Sequence, residues 1–405
     1  WLATLPGATG ATTATYGGIT LTVRGDADHQ YAYGVDGPIL VLGDVQSVHD
    51  VIDTKGSGGL AASDGFKQAL AAYHGDHLAF AYGDVKGLID AAQKANPQAA
   101  TTLDQALLAK LPAWFATSVR ADGNDLVADV AHPTVAGSPG LKDHPSSLAG
   151  HLPANTILEM ETHDLGTSIT NALKVYADSP AYKDGLKAVT DALDRVGGID
   201  SFTSWLGDAT VAVTRDGATY GGGVVIALPD ATSADTARGK LASLKNLASL
   251  AGAGTATVTD AAYDGATITT IDFGDLSKLA PGASLPGGLG GGKASLSFTL
   301  SNGLVVFGVG GDGFVKAVLD TKAGSSLADQ ARYKTAIDAV GGANVSQGYL
   351  DLRAVIDAVV SQLPADQKAK YESDVRPYLD PLQSFSLAGH AGDVQHAISV
   401  LTVGK

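Results

Sequence analysis

The chain has 405 residues, a formal net charge of −15 and no cysteine. Nucleic acid and anionic membrane surfaces are bound by clustered Lys and Arg, so we expect neither as a partner of this acidic protein. The missing cysteine excludes disulfides and thiolate metal sites, and no stretch reaches the roughly 18 consecutive apolar residues that cross a bilayer as a helix.

An internal repeat dominates the organisation of the chain. Residues 53–91 align without a gap on residues 320–358, and residues 16–22 match residues 263–269. Self-similarity of this kind predicts two copies of one structural unit. The identical pairs include Leu60/Leu327, Lys67/Lys334, Tyr82/Tyr349 and Asp84/Asp351.

The repeat sets the predicted domain organisation. We expect residues 1–134 to be the C-terminal half of the first pseudo-repeat, residues 135–151 to be a linker rich in Pro, Gly and Ser, and residues 152–405 to be a complete second pseudo-repeat. Trp1 aligns with about Ala248 of the second copy, so the first copy is truncated at its N-terminal side. We expect a longer precursor with an export signal or a membrane anchor.

Hydrophobic periodicity and turn residues predict the elements of the second copy. Apolar and polar residues alternate over Thr156–Thr162, which predicts a half-buried strand with Glu159 and Glu161 on its solvated face. Apolar stripes predict helices over residues 165–176, 186–196 and 233–251. Tight hairpins are predicted at Asp216-Gly217, Asp264-Gly265 and Asn302-Gly303.

These elements predict an α+β fold. Hairpins outnumber strand–helix–strand crossovers, so each pseudo-repeat is expected to be a largely antiparallel sheet with helices packed on one face. Further short helices are predicted after Asp312, Leu327, Asp351 and Pro364, followed by strands near Phe385 and over residues 394–403.

Two patterns carry a family resemblance. Residues 152–156, Leu-Pro-Ala-Asn-Thr, precede a strand and a helix, and a later short strand is followed by Asp351 and a helix. Together they resemble an uncharacterised family of bacterial cell-envelope proteins, a domain of unknown function present as tandem modules. The resemblance implies exported, usually membrane-anchored proteins, and therefore a secreted or cell-surface location. It implies no catalytic residues.

Two glycine-rich segments have the form of phosphate-binding loops. Residues 308–313 fit G-x-G-x-x-G, but the preceding strand belongs to a predicted antiparallel hairpin, so we predict a tight strand-to-helix turn. Residues 287–294 have Ala294 where a phosphate-binding loop needs Ser or Thr, and a strand follows. We interpret that segment as an inserted surface loop and predict no cofactor.

Candidate metal ligands occur in two turns. His74, Asp76 and His77 place two imidazoles and a carboxylate close together, which are ligand types that zinc takes. A solvated turn is the alternative, because the second copy has Gly341-Gly342-Ala343-Asn344 there. Residues 122–125 offer oxygens to calcium but are too short for a full calcium loop, and a hairpin turn explains them.

The sequence favours a protein without catalysis. It has no G-x-S-x-G elbow, no H-E-x-x-H helix and no cysteine nucleophile. We expect an extracytoplasmic structural or interaction protein that assembles with further copies of itself, as a homo-oligomer or a filament, because a truncated first copy would leave a bare sheet edge.

Two alternatives remain open. The first is a carrier of an apolar ligand or lipid, with a cavity between the sheet and the helices over residues 165–196 or 233–250. The second is a hydrolase centred on His74 and His77.

Overall fold

The computed structural model describes residues 11–25, 30–55, 59–96, 108–135, 140–177, 182, 185–187, 190–191, 194, 198–251, 256–275 and 293–404. The chain divides into two compact units, Trp1–Ala72 and Tyr73–Lys405. Within the described residues, no helix is both long enough and apolar enough to cross a membrane.

The first unit is a four-stranded antiparallel sheet in the order β1-β2-β3-β4, with helices after the last strand. Asp44 caps the first helix, since its carboxylate accepts a hydrogen bond from the Ser47 backbone N–H at 3.0 Å. The elements are β1 (Thr12–Tyr16), β2 (Ile19–Gly25), β3 (Gln30–Asp36), β4 (Ile39–Asp44), α1 (Val45–Asp53), a 3₁₀ turn (Leu60–Ala62) and α2 (Asp64–Ala71).

The core of the first unit lies between the sheet and α1. Val48 and Ile52 of α1 are buried in one cluster with Leu21 and Ala32 of the sheet, and Val41 of β4 packs against the same cluster. Successive residues of a strand point to opposite faces, so this side holds alternate residues of each strand.

The second unit is built on a thirteen-stranded sheet. Its strands are β5 (Ala79–Asp84), β6 (Trp114–Asp122), β7 (Asp125–Pro133), β9 (Thr156–Thr162), β10 (Ala209–Asp216), β11 (Thr219–Ala227), β12 (Thr257–Tyr263), β13 (Ala266–Asp275), β14 (Lys293–Ser301), β15 (Leu304–Val309), β17 (Ser346–Leu350), β18 (Leu382–His390) and β19 (Val394–Val403). Two short strands, β8 (His144–Pro145) and β16 (Ala343–Asn344), form a separate pair.

The order across this sheet is β12-β13-β14-β15-β11-β10-β9-β17-β18-β19-β7-β6-β5. All of its strand pairs are antiparallel, as the excess of hairpins predicted. The three predicted hairpins are confirmed by the closing pairs Asp216↔Thr219, Tyr263↔Ala266 and Ser301↔Leu304.

The second unit also contains the helices α3 (Val85–Ala95), α4 (Leu165–Ala177), α5 (Gly198–Thr203), α6 (Ala231–Ala251), α7 (Gly313–Asp320), α8 (Ala331–Ala339), α9 (Leu352–Ser361), α10 (Ala365–Lys370) and α11 (Arg376–Leu379). Helices α4 and α6 confirm two of the predicted helices. The helix predicted over residues 186–196 lies largely outside the described residues. Of the inserted loop predicted over residues 287–294, residues 287–292 lie outside them, and Lys293 and Ala294 belong to β14 rather than to a loop, because they continue the pairing of that strand with β13.

Helices cover both faces of the sheet around β15. Leu304 and Val306 belong to a core cluster with Phe314 and Val315 of α7. Val305, on the opposite face, belongs to a second cluster with residues of α6. The prediction of helices on one face is therefore wrong for this part of the sheet: β15 is apolar on both sides, and each side needs a cover.

Two helices of the second unit begin with the same kind of cap. Asp84 starts α3 by accepting a hydrogen bond from Gly87 N–H at 3.0 Å, and Asp351 starts α9 by accepting one from Ala354 N–H at 2.8 Å. In the sheet order, β5-β6-β7 and β17-β18-β19 meet symmetrically at the β7–β19 pair.

Candidate functional site

The metal ligands predicted at residues 74–77 lie in a surface turn. His74 and Asp76 are exposed, and His77 is half-buried with its Nδ1 2.7 Å from Ser118 Oγ. Searched over the described residues, His74, Asp76 and His77 do not form a group of three converging metal donors.

A polar cluster lies instead on β9 and on the residue that follows it, in the middle of the large sheet. Glu159, Glu161 and His163 are two residues apart, so they point to one face, and all three are buried. The prediction that Glu159 and Glu161 are solvated is wrong. Met160, which points to the other face, is 55% exposed, so the polar face of β9 is the covered one.

The cover over this cluster is formed by residues 140–151, called here the covering segment. The composition of these residues predicts a linker, yet Leu148 and Ala149 lie in the main core and β8 pairs with β16. Ser146 Oγ donates to Glu161 Oε2 at 2.5 Å, and Ser147 Oγ donates to Asp208 Oδ2 at 2.7 Å. The segment is therefore bound to β9 and to the residue that precedes β10.

His163 is held in one orientation by the backbone. Its Nδ1 lies 2.7 Å from the carbonyl oxygen of Asn344, so the Nδ1–H donates there, and in the neutral ring Nε2 has the lone pair. Nε2 lies 3.2 Å from Glu161 Oε1, which forms an ion pair when His163 is protonated. Apart from this contact, neither atom has a hydrogen-bond partner among the described residues.

His144 of the covering segment completes the group. Its ring stacks on His163, with centroids 4.0 Å apart and planes 21° apart. Its Nδ1 lies 3.1 Å from the Pro145 carbonyl oxygen, and its Nε2 lies 3.7 Å from Asp208 Oδ1. One donor atom each from His144, His163 and Asp208 lie within 4.8 Å of one another. In the described part of the chain this is the one group of three such donors.

Burial and charge shift the proton affinity of the cluster. Burial, followed by the charge of Glu161, raises the pKa of Glu159 well above its usual value. Burial alone lowers the pKa of His163, but the Glu161 carboxylate, the Asn344 carbonyl and Asp208 outweigh it, and the pKa of His163 is raised.

Uncharged side chains close the cluster on the sheet side. Thr210 Oγ1 donates to Glu159 Oε1 at 3.4 Å, and Gln347 Nε2 donates to the Tyr333 hydroxyl at 2.7 Å. Burial, with the charges of Glu159 and Glu161, raises the pKa of Tyr333, which keeps that hydroxyl neutral. Paired carboxylates can act as general acid and base only where substrate reaches them, and these two are covered.

The glycine turn of residues 308–313 has the predicted form. Strand β15 is antiparallel to both of its neighbours, and α7 follows the turn. Asp312 makes no side-chain cap hydrogen bond, and its carboxylate lies 2.8 Å from Lys316 Nζ. A cleft of about 610 Å³ beside the turn is lined by Asp216 and Tyr220, among others. A bound phosphate would need hydrogen-bond donors here, whereas the Asp216 carboxylate is an acceptor with a negative charge. Asp216 therefore disfavours phosphate binding in this cleft.

Fold and site together define an α+β protein with a large antiparallel sheet and a covered polar cluster. Residues 2–397 match the family described as "Protein of unknown function (DUF3352)", and the chain belongs to this family. No curated protein shows significant similarity to the chain, and no solved structure does.

Proposed function

We propose that the protein is an extracytoplasmic structural or interaction protein of the bacterial cell surface that associates with further copies of itself and has no catalytic activity. One observation carries this proposal: on one face of the four-stranded sheet, β3 and β4 have an apolar patch that the described residues leave exposed.

Strand β4 is apolar on both of its faces. Val41 points toward α1, so Leu40 and Leu42 point away from it, and they are 52% and 60% exposed. Val35 of β3 pairs with Leu40 and is also exposed. Large exposed apolar patches mark interaction sites in soluble proteins. These three residues, with exposed Tyr31 on the same side of β3, are called here the open face.

The open face adjoins an edge of its sheet. Within the described residues, β4 pairs with β3 and with no other strand. An unpaired edge beside an apolar surface favours addition of a strand from another chain. At one end of the large sheet, β12 likewise pairs only with β13 within the described part.

The proposal includes the two pseudo-repeats. The recurring helix caps and the symmetric strand order support the view that β1–β4 and β12–β15 are equivalent sheets. On this view the open face is equivalent to the face of β14 and β15 that packs with α6.

We propose that a second copy of the chain binds the open face. Within the described residues the edge strands of each chain are β1, β4, β5 and β12, and the proposed contact joins β4 to β12, which differ from each other. Joining different edges head to tail gives an open filament unless the rotation closes it into a ring.

Sedimentation of the purified full chain over a range of concentrations tests the proposal. We expect association in the unaltered protein, and a monomer when Leu40 and Leu42 are both changed to Lys, because two charges on the open face oppose its burial. Val359→Lys is the control, since Val359 is an exposed apolar residue of α9 outside the open face.

Equal association of the double variant would refute the role of the open face, and a monomeric unaltered protein would refute self-association. The carrier alternative gains no support from the packing, because Ala237 and Leu241 of α6 are buried in a continuous core with the sheet. Localisation of the protein in fractionated cells tests the cell-surface part of the proposal.

A further inference from the structure

We propose that His144, His163 and Asp208 bind a divalent transition-metal ion of the zinc class, with Glu161 as a fourth donor. The site would join the covering segment to β9 and to the start of β10. This site does not include His74, Asp76 and His77, the metal ligands predicted from the sequence.

The donor set selects the class of metal. Two imidazoles and carboxylate oxygens, without a thiolate, suit Zn²⁺ and its neighbours Co²⁺ and Ni²⁺. Calcium and magnesium prefer oxygen ligands throughout, and two histidines make such ions unfavourable here.

Both imidazoles are oriented as metal ligands are. In metal sites a ligating histidine usually donates its other ring N–H to a carboxylate or a backbone carbonyl, which fixes its tautomer. His163 and His144 each place Nδ1 beside a backbone carbonyl oxygen, at 2.7 Å and 3.1 Å. Each Nε2 is thereby left as the free lone pair.

The buried atoms of the cluster point to an absent partner. His163 is only 1% exposed, and its Nε2 lies 3.2 Å from Glu161 Oε1; when the imidazole is neutral, neither atom has a hydrogen-bond partner in the described residues. Unsatisfied buried polar atoms are unfavourable. A cation bound to both atoms would satisfy them at once, and Ser146 already holds the other oxygen of Glu161.

Binding requires a small closing movement. The donor atoms of His144, His163 and Asp208 lie within 4.8 Å of one another, whereas ligands of a tetrahedral zinc at 2.0–2.1 Å are about 3.3 Å apart. Glu161 lies outside that group of three, with Oε1 3.2 Å from His163 Nε2. The half-buried His144 sits on the covering segment and can supply this movement. Asp208 is fixed by Asp164 N–H, at 3.0 Å from Oδ1, and by Ser147. The ion would therefore pull the covering segment toward β9.

Calorimetric titration of the full chain tests the site. The protein is first stripped of metal with a chelator and then titrated with Zn²⁺. We expect one ion per chain. His144→Ala and Asp208→Asn should each weaken binding at least about 100-fold, because each removes a ligand from a small set.

Matched histidine variants provide the control. His74→Ala and His77→Ala remove imidazoles at the other candidate turn and should leave Zn²⁺ affinity unchanged. Co²⁺ gives a second readout, since an imidazole–carboxylate site produces visible absorption that His144→Ala should abolish. Circular dichroism of each metal-free variant checks that it is folded.

Three outcomes would overturn the proposal. The unaltered protein could bind no Zn²⁺, in which case a protonated His163 paired with Glu161 accounts for the cluster. His144→Ala could bind as tightly as the unaltered protein. Binding could instead depend on His74 and His77, which would assign the metal to the surface turn.

Discussion

The sheet β1–β4 and the strands β12–β15 have the same internal plan, but they are covered differently. Each consists of two successive hairpins followed by a helix, α1 or α7. Helix α1 covers one face of β1–β4, whereas α7 and α6 cover opposite faces around β15. As a result Leu40 is 52% exposed, while Val305, at the same place in its hairpin, is fully buried.

The apolar composition of a strand can be compared with the burial of its two faces. β4 begins Ile-Leu-Val-Leu and β15 begins Leu-Val-Val-Phe. A short continuous apolar run is typical of a strand buried on both faces. β15 meets that expectation, and β4 has the same composition with one face exposed. The open face is thus apolar surface that a partner would bury.

The largest expected contrast is between Val305→Lys and Leu40→Lys. Val305→Lys places an unpaired charge in the core beneath α6, and we expect it to lower the free energy of unfolding by about 3–5 kcal/mol. Leu40→Lys replaces an exposed side chain and should change the free energy of unfolding by less than about 0.5 kcal/mol. Urea denaturation of dilute protein, followed by circular dichroism, measures both.

Dilution matters here because association would itself stabilise the folded chain. A large loss of stability from Leu40→Lys in monomeric protein would show that the open face is buried within one chain. The difference in cover between β4 and β15 would then be refuted.

A smaller contrast is expected at Gly43 and Gly308, which hold the same place in β4 and β15. A Cβ on Gly43 would meet Ser47 and Val48 at ordinary distances of 3.6 Å and 3.8 Å. Gly43→Ala should therefore stabilise the first unit by about 0.4–1 kcal/mol, because it restricts the unfolded chain.

A Cβ on Gly308 would lie 3.1 Å from Val315 and 3.3 Å from the carbonyl oxygen of Gly311. Gly308→Ala should destabilise the second unit by about 1–3 kcal/mol through overpacking. Thermal unfolding measures the change in melting temperature of each variant. If both substitutions raised it, or both lowered it, β4 and β15 would not differ in packing at this position.

Local signals made much of the fold predictable. Asp264-Gly265 and Asn302-Gly303 predicted their hairpins because residues that adopt positive φ are needed there, and all four have it. Long helices were predictable from an apolar stripe, as for α6. Both kinds of signal lie within a few residues of the element that they predict.

The candidate site could not be predicted in this way, because its parts come from distant segments. Glu161 and His163 share a strand face that only the covering segment makes internal. His144 lies in a stretch whose Pro, Gly and Ser are typical of a linker, and Asp208 lies beyond α5. The one available signal was the spacing of Glu159, Glu161 and His163 on a single strand, and it indicates a shared face without showing what covers it.

The smallest expected effect concerns a hydrogen bond that both sheets contain. Tyr16 donates to Asp53 Oδ2 at 2.7 Å, and Tyr263 donates to Asp320 Oδ2 at 2.7 Å. In each case the hydrogen bond, followed by partial burial and the carboxylate charge, raises the pKa of the tyrosine. A folded-state pKa above the unfolded value means that the stabilisation is complete below about pH 10 and is lost as the pH rises through the folded pKa.

We therefore expect Tyr16→Phe and Tyr263→Phe to give small, similar decreases in melting temperature at pH 8, and smaller decreases once the pH exceeds the raised pKa values. NMR titration of labelled tyrosines gives the pKa of each directly. If Tyr16 titrated near the ordinary tyrosine value of about 10 while the pKa of Tyr263 stayed high, the two sheets would differ in their internal contacts as well as in their cover. Equal shifts would confine the difference to the cover, because the contact between the first strand and the following helix would then be the same in both.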